Sequence, residues 1–173
     1  MDTNFHKLCD KICSELSYGI LWHSAAVLEF NKIALRGFAR WNSREAEGDL
    51  KSKLCFEKLL CDKLDFMPTI TINAPKLHWE SLKNLPEILK HWEQREYDFA
   101  NEITQAMVAA RDMDIAVYKC LMCLADEVQE EAFRLRLVMK RFENTDYYHH
   151  DVMRSSLDLH RHFSDTDSLN FDI

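Results

Sequence analysis

The chain has 173 residues, enough for one domain with a sizeable core, and only three of them are Gly and three Pro. That scarcity excludes a β-sandwich or barrel, which needs turn residues roughly every 8–12 positions, and the absence of any G-x-G or G-K-[ST] run excludes a glycine-rich phosphate loop. The balance of 22 Lys+Arg against 29 Asp+Glu, with no basic tract, argues against nucleic acid and anionic membranes as partners and favours cations. No run approaches the roughly 18 apolar residues of a membrane span, and the N-terminal stretch has no apolar signal core. A cytoplasmic protein is expected, its cysteines (Cys9, Cys13, Cys55, Cys61, Cys120 and Cys123) reduced.

Apolar residues recur at helical spacing over long windows. Asp2, Thr3 or Asn4 can cap a first helix running to about Ala34, with Leu8, Ile12, Leu16, Ile20 and Val27 along one face. A short break up to Gly37 predicts an antiparallel second helix, about Gly37 to Lys63, carrying Trp41, Leu50, Leu54, Leu59 and Leu60. Asp65 to His78, with Pro68, Pro75 and the β-prone run Thr69–Ile72, is the longest non-helical stretch. Extended at about 3.3 Å per residue, it can travel some 45 Å, enough to run the roughly 40 Å length of the preceding helix, so the third helix can run parallel to the second.

That third helix is predicted from about Trp79 to Ala110, with Pro86 in its first turns. A turn at Arg111–Asp114 leads to a fourth, to about Phe142, and a shorter fifth is expected from about Asp146 to Phe163 before a polar tail, 164–173. The reading is an all-α, single-domain four-helix bundle over residues 1–163, with one long crossover and a short C-terminal helix.

Acids fall on or beside the apolar stripes. Glu15 adjoins Leu16, Asp49 adjoins Leu50, Glu93 follows Trp92, and Glu127, Glu130 and Glu131 follow the apolar run 120–125. One carboxylate per helix near mid-bundle is costly without a cation, and hard oxygen donors suit iron or manganese; solvated helix faces are the plain alternative.

Several segments then resemble the non-haem ferritins. Gly37-Phe38-Ala39-Arg40-Trp41 is similar to the G-F-A-x-W opening of their second helix, and Ser14-Glu15-Leu16 with Ser24-Ala25-Ala26 is similar to their first. The crossover Ile72-Asn73-Ala74-Pro75-Lys76-Leu77-His78-Trp79-Glu80-Ser81-Leu82 resembles I-x-x-P-x-x-x-W-x-S-L. Lys90-His91-Trp92-Glu93-Gln94 and Leu124-Ala125-Asp126-Glu127 with Glu130-Glu131 resemble the third- and fourth-helix site segments, so the likeness runs in order over residues 5–142.

The resemblance implies a ferritin-like fold, a homo-oligomeric cage of 24 subunits and storage of iron, taken up as Fe2+ and held as Fe3+. It implies Glu15, Asp49, Glu93, Glu127 and Glu130 or Glu131 as metal ligands, with Glu96 as fallback one turn beyond Glu93. It also implies Asp112 and Asp114 beside a threefold channel. The family's second-helix E-x-x-H reads here Asp49-Leu50-Lys51-Ser52, so the imidazole is replaced by Ser52 and Lys51 and Lys53 add positive charge. Weak metal binding and slow or absent ferroxidase activity follow. The second helix has no Met before Met67, so no haem is expected.

Two other readings remain open from the residues. A catalytically silent cage subunit or structural homologue would use the same acids for packing and pairing. A di-iron oxidase would show two E-x-x-H motifs, and none occurs after Glu47, Asp49, Glu127 or Glu130. The pairs Cys9/Cys13 and Cys120/Cys123 read as core rather than metal ligands, and His149, His150, His160 and His162 as surface residues.

Overall fold

The computed structural model describes residues 3–79, 81–144 and 149–165. Five α-helices follow one another: α1 Thr3–Lys32, α2 Arg36–Leu64, α3 Leu85–Ala110, α4 Ile115–Glu143 and α5 His149–Asp165. The helices α1 and α2 form one antiparallel hairpin, α3 and α4 a second, and α5 packs against α2. Among the described residues there is no strand. No helix among the described residues is long and apolar enough to cross a membrane.

The first hairpin turns without a glycine. Ala34 adopts φ 63°, in the left-handed region, and Leu35 N–H closes the turn on Phe30 O at 2.9 Å. Gly37 instead lies in the first turn of α2, where its buried N–H donates to Ser156 Oγ of α5 at 3.0 Å. At the other end of α2, Asp65 takes φ 48° and its N–H returns to the last carbonyls of the helix, which stops it.

The crossover is extended and is tied to α1 along its length. Thr69 N–H donates to Asp10 Oδ1 at 2.6 Å, Thr71 N–H to Ser14 Oγ at 3.0 Å and Trp79 N–H to Glu29 Oε2 at 3.0 Å. Asp10 and Glu29 are about 28 Å apart along a helix, so the segment travels up α1 as the length argument requires. The helix α3 therefore starts beside the end of α1 and runs parallel to α2.

The boundary of α3 differs from the sequence reading. Residues before Leu85 form a 3-10 turn, Leu82–Asn84, capped by Ser81, whose hydroxyl accepts from Lys83 N–H while Asn84 Oδ1 accepts from Ser81 N–H. Pro86 sits in the first turn of α3, where its missing N–H has no acceptor to lose. A helix begun at Trp79 would have placed that proline in its interior.

Candidate metal centre

The core is two apolar clusters rather than one. One is built from Phe5–Leu16 of α1, Phe56–Leu64 of α2, Phe99–Ala110 of α3 and Val117–Val128 of α4. The other takes Trp22–Phe30, Phe38–Trp41, Leu85–Trp92 and Leu135–Phe142 from the same four helices. The gaps between them coincide at mid-bundle. In or beside the gaps stand Gly19 and His23 of α1, Glu45 and Asp49 of α2, Arg95 and Glu96 of α3, and Glu131 of α4.

His23 is fully buried, and its tautomer follows from its neighbours. Asn42 Nδ2 donates to Phe38 O at 2.9 Å, which turns Asn42 Oδ1 toward His23 Nδ1 at 2.8 Å. That carbonyl oxygen can only accept, so the proton is on Nδ1 and the Nε2 lone pair faces the bundle interior. Burial, with the Arg95 charge beside it, holds the imidazole neutral, its pKa well below the usual value despite the Asn42 bond. A histidine fixed through one nitrogen, with the lone pair of the other turned inward, has the arrangement of a metal ligand, although here Arg95 takes that lone pair.

Three charged groups lie within 4.0 Å of that nitrogen. Arg95 Nη1 is 3.3 Å from Nε2, Asp49 Oδ2 is 3.8 Å away and Glu131 Oε1 is 4.0 Å away. Arg95 Nη2 lies 3.3 Å from Glu96 Oε1 and 3.8 Å from Asp49 Oδ2. Glu131 Oε1 also accepts from Trp92 Nε1 at 2.8 Å, and Glu45 Oε1 from Trp41 Nε1 at 2.6 Å. Arg95 rests on the Trp22 ring, 5.5 Å from its centroid.

Burial is the main cause that raises the pKa of Asp49, Glu96 and Glu131, and mutual repulsion among the acids adds to it while Arg95 opposes it. Burial likewise raises the pKa of Glu45, opposed by its hydrogen bond from Trp41 and by the charges of Arg134 and Arg95. Burial works against the charge of Arg95, but Glu96, Asp49 and Glu131 hold its guanidinium protonated.

The helix approach explains Gly19. A Cβ there would lie 2.1 Å from Asp49 Oδ2 and 2.7 Å from Arg95 Nη2, so only a residue without a side chain leaves the two groups where they are.

The carboxylates named from the sequence are dispersed. Asp49 and Glu131 enter the central layer, as does the fallback Glu96, which is 2% exposed. Glu15 is one turn below, half-buried in a recess with Asp98, Glu102 and the edge of Arg95. Glu93 points away and accepts from Arg136 Nε at 2.9 Å. Glu127 is exposed and accepts from Ser52 Oγ at 3.0 Å across the α2–α4 mouth, a pocket of about 300 Å³. Glu130 pairs on the surface with Arg134 at 2.6 Å.

Asp112 is exposed in the α3–α4 turn, whereas Asp114 caps α4, accepting from Ala116 N–H at 2.8 Å and Val117 N–H at 3.0 Å. His23, Arg95 and Glu45 were not named from the sequence. The one available signal was that His23 lies two helical turns beyond Glu15, on the same face.

His23, Glu96 and Glu131 each offer one donor atom, all within 4.8 Å of one another, and among the described residues no other His, Cys, Asp or Glu group does so. A cation about 2.0–2.4 Å from each donor needs that kind of spacing, and an imidazole with carboxylates suits iron, manganese or zinc. The donors fit a single divalent ion, and Arg95 in its present position stands among them, 3.3 Å from His23 Nε2 and from Glu96 Oε1. Elsewhere, Cys9 and Cys13 are buried in the core, Cys120 is partly buried, and Cys55 and Cys123 are exposed. His149 and His150 are exposed, while the side chains of His160 and His162 lie outside the described residues.

No family model matches the chain, and no curated protein sequence does. Solved structures do match. An open pore ferritin from the hyperthermophilic archaeon Archaeoglobus fulgidus superposes with a TM-score of 0.79 over 92% of this chain and 97% of its own, at 15% identity. A humanized archaeal ferritin superposes at 0.81, covering 92% and 97% at 16% identity. The fold is ferritin-like. A form of the Archaeoglobus fulgidus ferritin engineered to be closed gives 0.79 over 92% and 96%, at 14% identity. At these identities the likeness concerns the path of the backbone, and the side chains of the mid-bundle layer have to be read from this chain alone.

Proposed function

We propose that this chain is a ferritin-type shell subunit that holds iron as cargo, and that its mid-bundle centre takes up Fe2+ weakly and oxidises it slowly or not at all. The observation that carries the reading is the Arg95 guanidinium standing 3.3 Å from both His23 Nε2 and Glu96 Oε1, where a metal ion would have to be. Iron, the substrate here, would meet His23, Asp49, Glu96 and Glu131, and a positive charge already among these donors opposes its entry. The replacement of the second-helix imidazole by Ser52 supports the same conclusion, since Ser52 is engaged with Glu127.

The shell would be a cytoplasmic homo-oligomer, and the 24-subunit cage is the form its fold suggests. Exposed Asp112 is the acid available to draw cations at the α3–α4 turn, because Asp114 is committed to the helix cap. The reading is tested by light scattering after size exclusion, with metal analysis of the particle, and by stopped-flow absorbance on mixing with Fe2+ and O₂. A large iron-bearing particle without a fast stoichiometric diferric transient is expected. A fast transient refutes the impaired centre, and a monomer or dimer that retains no iron refutes storage. The second reading, a catalytically silent homologue without iron cargo, is favoured by the same guanidinium and gains from that last outcome.

A further inference from the structure

Arg95 reaches two acidic environments from one position. Its head lies in the mid-bundle layer, and the same side chain lines a recess of about 260 Å³ between α1 and α3 that also holds Glu15, Asp98 and Glu102. Its grip on the layer is loose. The contacts to His23, Glu96 and Asp49 are 3.3–3.8 Å, whereas a well-formed arginine–carboxylate bond closes to about 2.7–2.9 Å. Buried Asp49 Oδ2, Glu96 Oε1 and Arg95 Nε each lack a hydrogen bond of good geometry. In the recess Glu102 is held by Lys11 at 2.5 Å and Asp98 Oδ1 accepts from Gln94 at 3.0 Å, while Glu15 faces Arg95 electrostatically.

We propose that Arg95 is a displaceable counter-ion: a divalent cation binds His23, Asp49, Glu96 and Glu131 only as the guanidinium turns outward into the recess formed with Glu15, Asp98 and Glu102. The exchange keeps positive charge in the layer at every stage, replacing one unit on Arg95 by two on the metal. The recess supplies carboxylates to receive the arginine, so the departing charge is not left buried and unpaired. The inference rests on the reading of this layer as a cation centre, but it does not depend on cage assembly or on iron storage.

Co2+ serves as the probe for the full chain, with binding followed by calorimetry and by the visible absorption of the bound ion. One Co2+ per chain is expected, lost on Glu96→Gln, and bound at least about tenfold more tightly by Arg95→Gln than by the unsubstituted chain. Replacing the recess acids by Glu15→Gln with Asp98→Asn should weaken Co2+ several-fold in the unsubstituted chain and have little effect in the Arg95→Gln background, because the recess then has no arginine to receive. No gain in a folded Arg95→Gln chain overturns the proposal. So does equal weakening in both backgrounds, and so does a chain that binds no Co2+ until Arg95 is replaced, which would make the arginine a fixed plug. Should Arg95→Gln not fold, the recess variant alone decides: unchanged Co2+ affinity overturns the exchange. A chain that shows the arginine-dependent Co2+ binding yet retains no iron would refute the storage reading and leave the exchange standing.

Discussion

Adding one methyl group has opposite consequences at the two described mid-helix glycines. At Gly19 the added carbon would press on Asp49 Oδ2 and Arg95 Nη2, so a buried ion pair has to shift. The helix-propensity gain of about 0.5–1 kcal/mol is then outweighed by disturbing buried polar contacts, which costs roughly 1–3 kcal/mol. Gly19→Ala should lower Tm in thermal denaturation. At Gly48 nothing lies within 4 Å of the added carbon, so Gly48→Ala should show only the gain, a rise of about 2–4 °C per kcal/mol for a chain of this size. Ala34 is the reverse case: its φ of 63° disfavours any side chain, and Ala34→Gly should stabilise the hairpin by about 1 kcal/mol in urea denaturation. Equal shifts of one sign at positions 19 and 48 would show that the close approach of Asp49 and Arg95 is not constraining.

Helix ends were readable to the extent that their chemistry is local. The sequence places the α3–α4 turn at Arg111–Asp114, where it lies, and the structure adds that the Asp114 side chain accepts from two N–H groups of α4. Asp114→Ala should cost about 1 kcal/mol, within a range of roughly 0.5–2, while Asp114→Asn should retain most of the stability. The start of α3 was placed six residues too early because the pattern from Trp79 onward is apolar enough to continue the helix inward. Ser81 and Pro86 are the residues that decide it, the first by capping a 3-10 turn and the second by tolerating only a first-turn position. The crossover was legible from its prolines and its length, but not its attachment to Asp10, Ser14 and Glu29, which depends on which face of α1 it meets.

At the scale of the whole molecule, the fold was legible and the centre only in part. Asp49 and Glu131 follow from acids next to apolar stripes, whereas Glu15 falls one turn, about 5.4 Å, from the layer and Gly19 stands level with it. His23 and Arg95 carry no motif. Their meaning arises only when four helices are brought into register, which no local pattern encodes. The thiols sort by the same packing: Cys9, fully buried, has its pKa pushed up to about 12 by burial, and Cys13 is likewise raised, while Cys55 and Cys123 are exposed. Iodoacetamide at neutral pH followed by peptide mass spectrometry should modify Cys55 and Cys123 and spare Cys9 and Cys13 until the chain unfolds. The separation of the apolar clusters by a polar layer has a further consequence for how the bundle breathes. Amide hydrogen exchange should divide each long helix at its middle, residues 5–16 exchanging in step with 117–128 on another helix and not with 22–30 on their own. The cooperative unit is then half of the bundle, cut across its axis, and a cation bound in the layer would join the two halves into one.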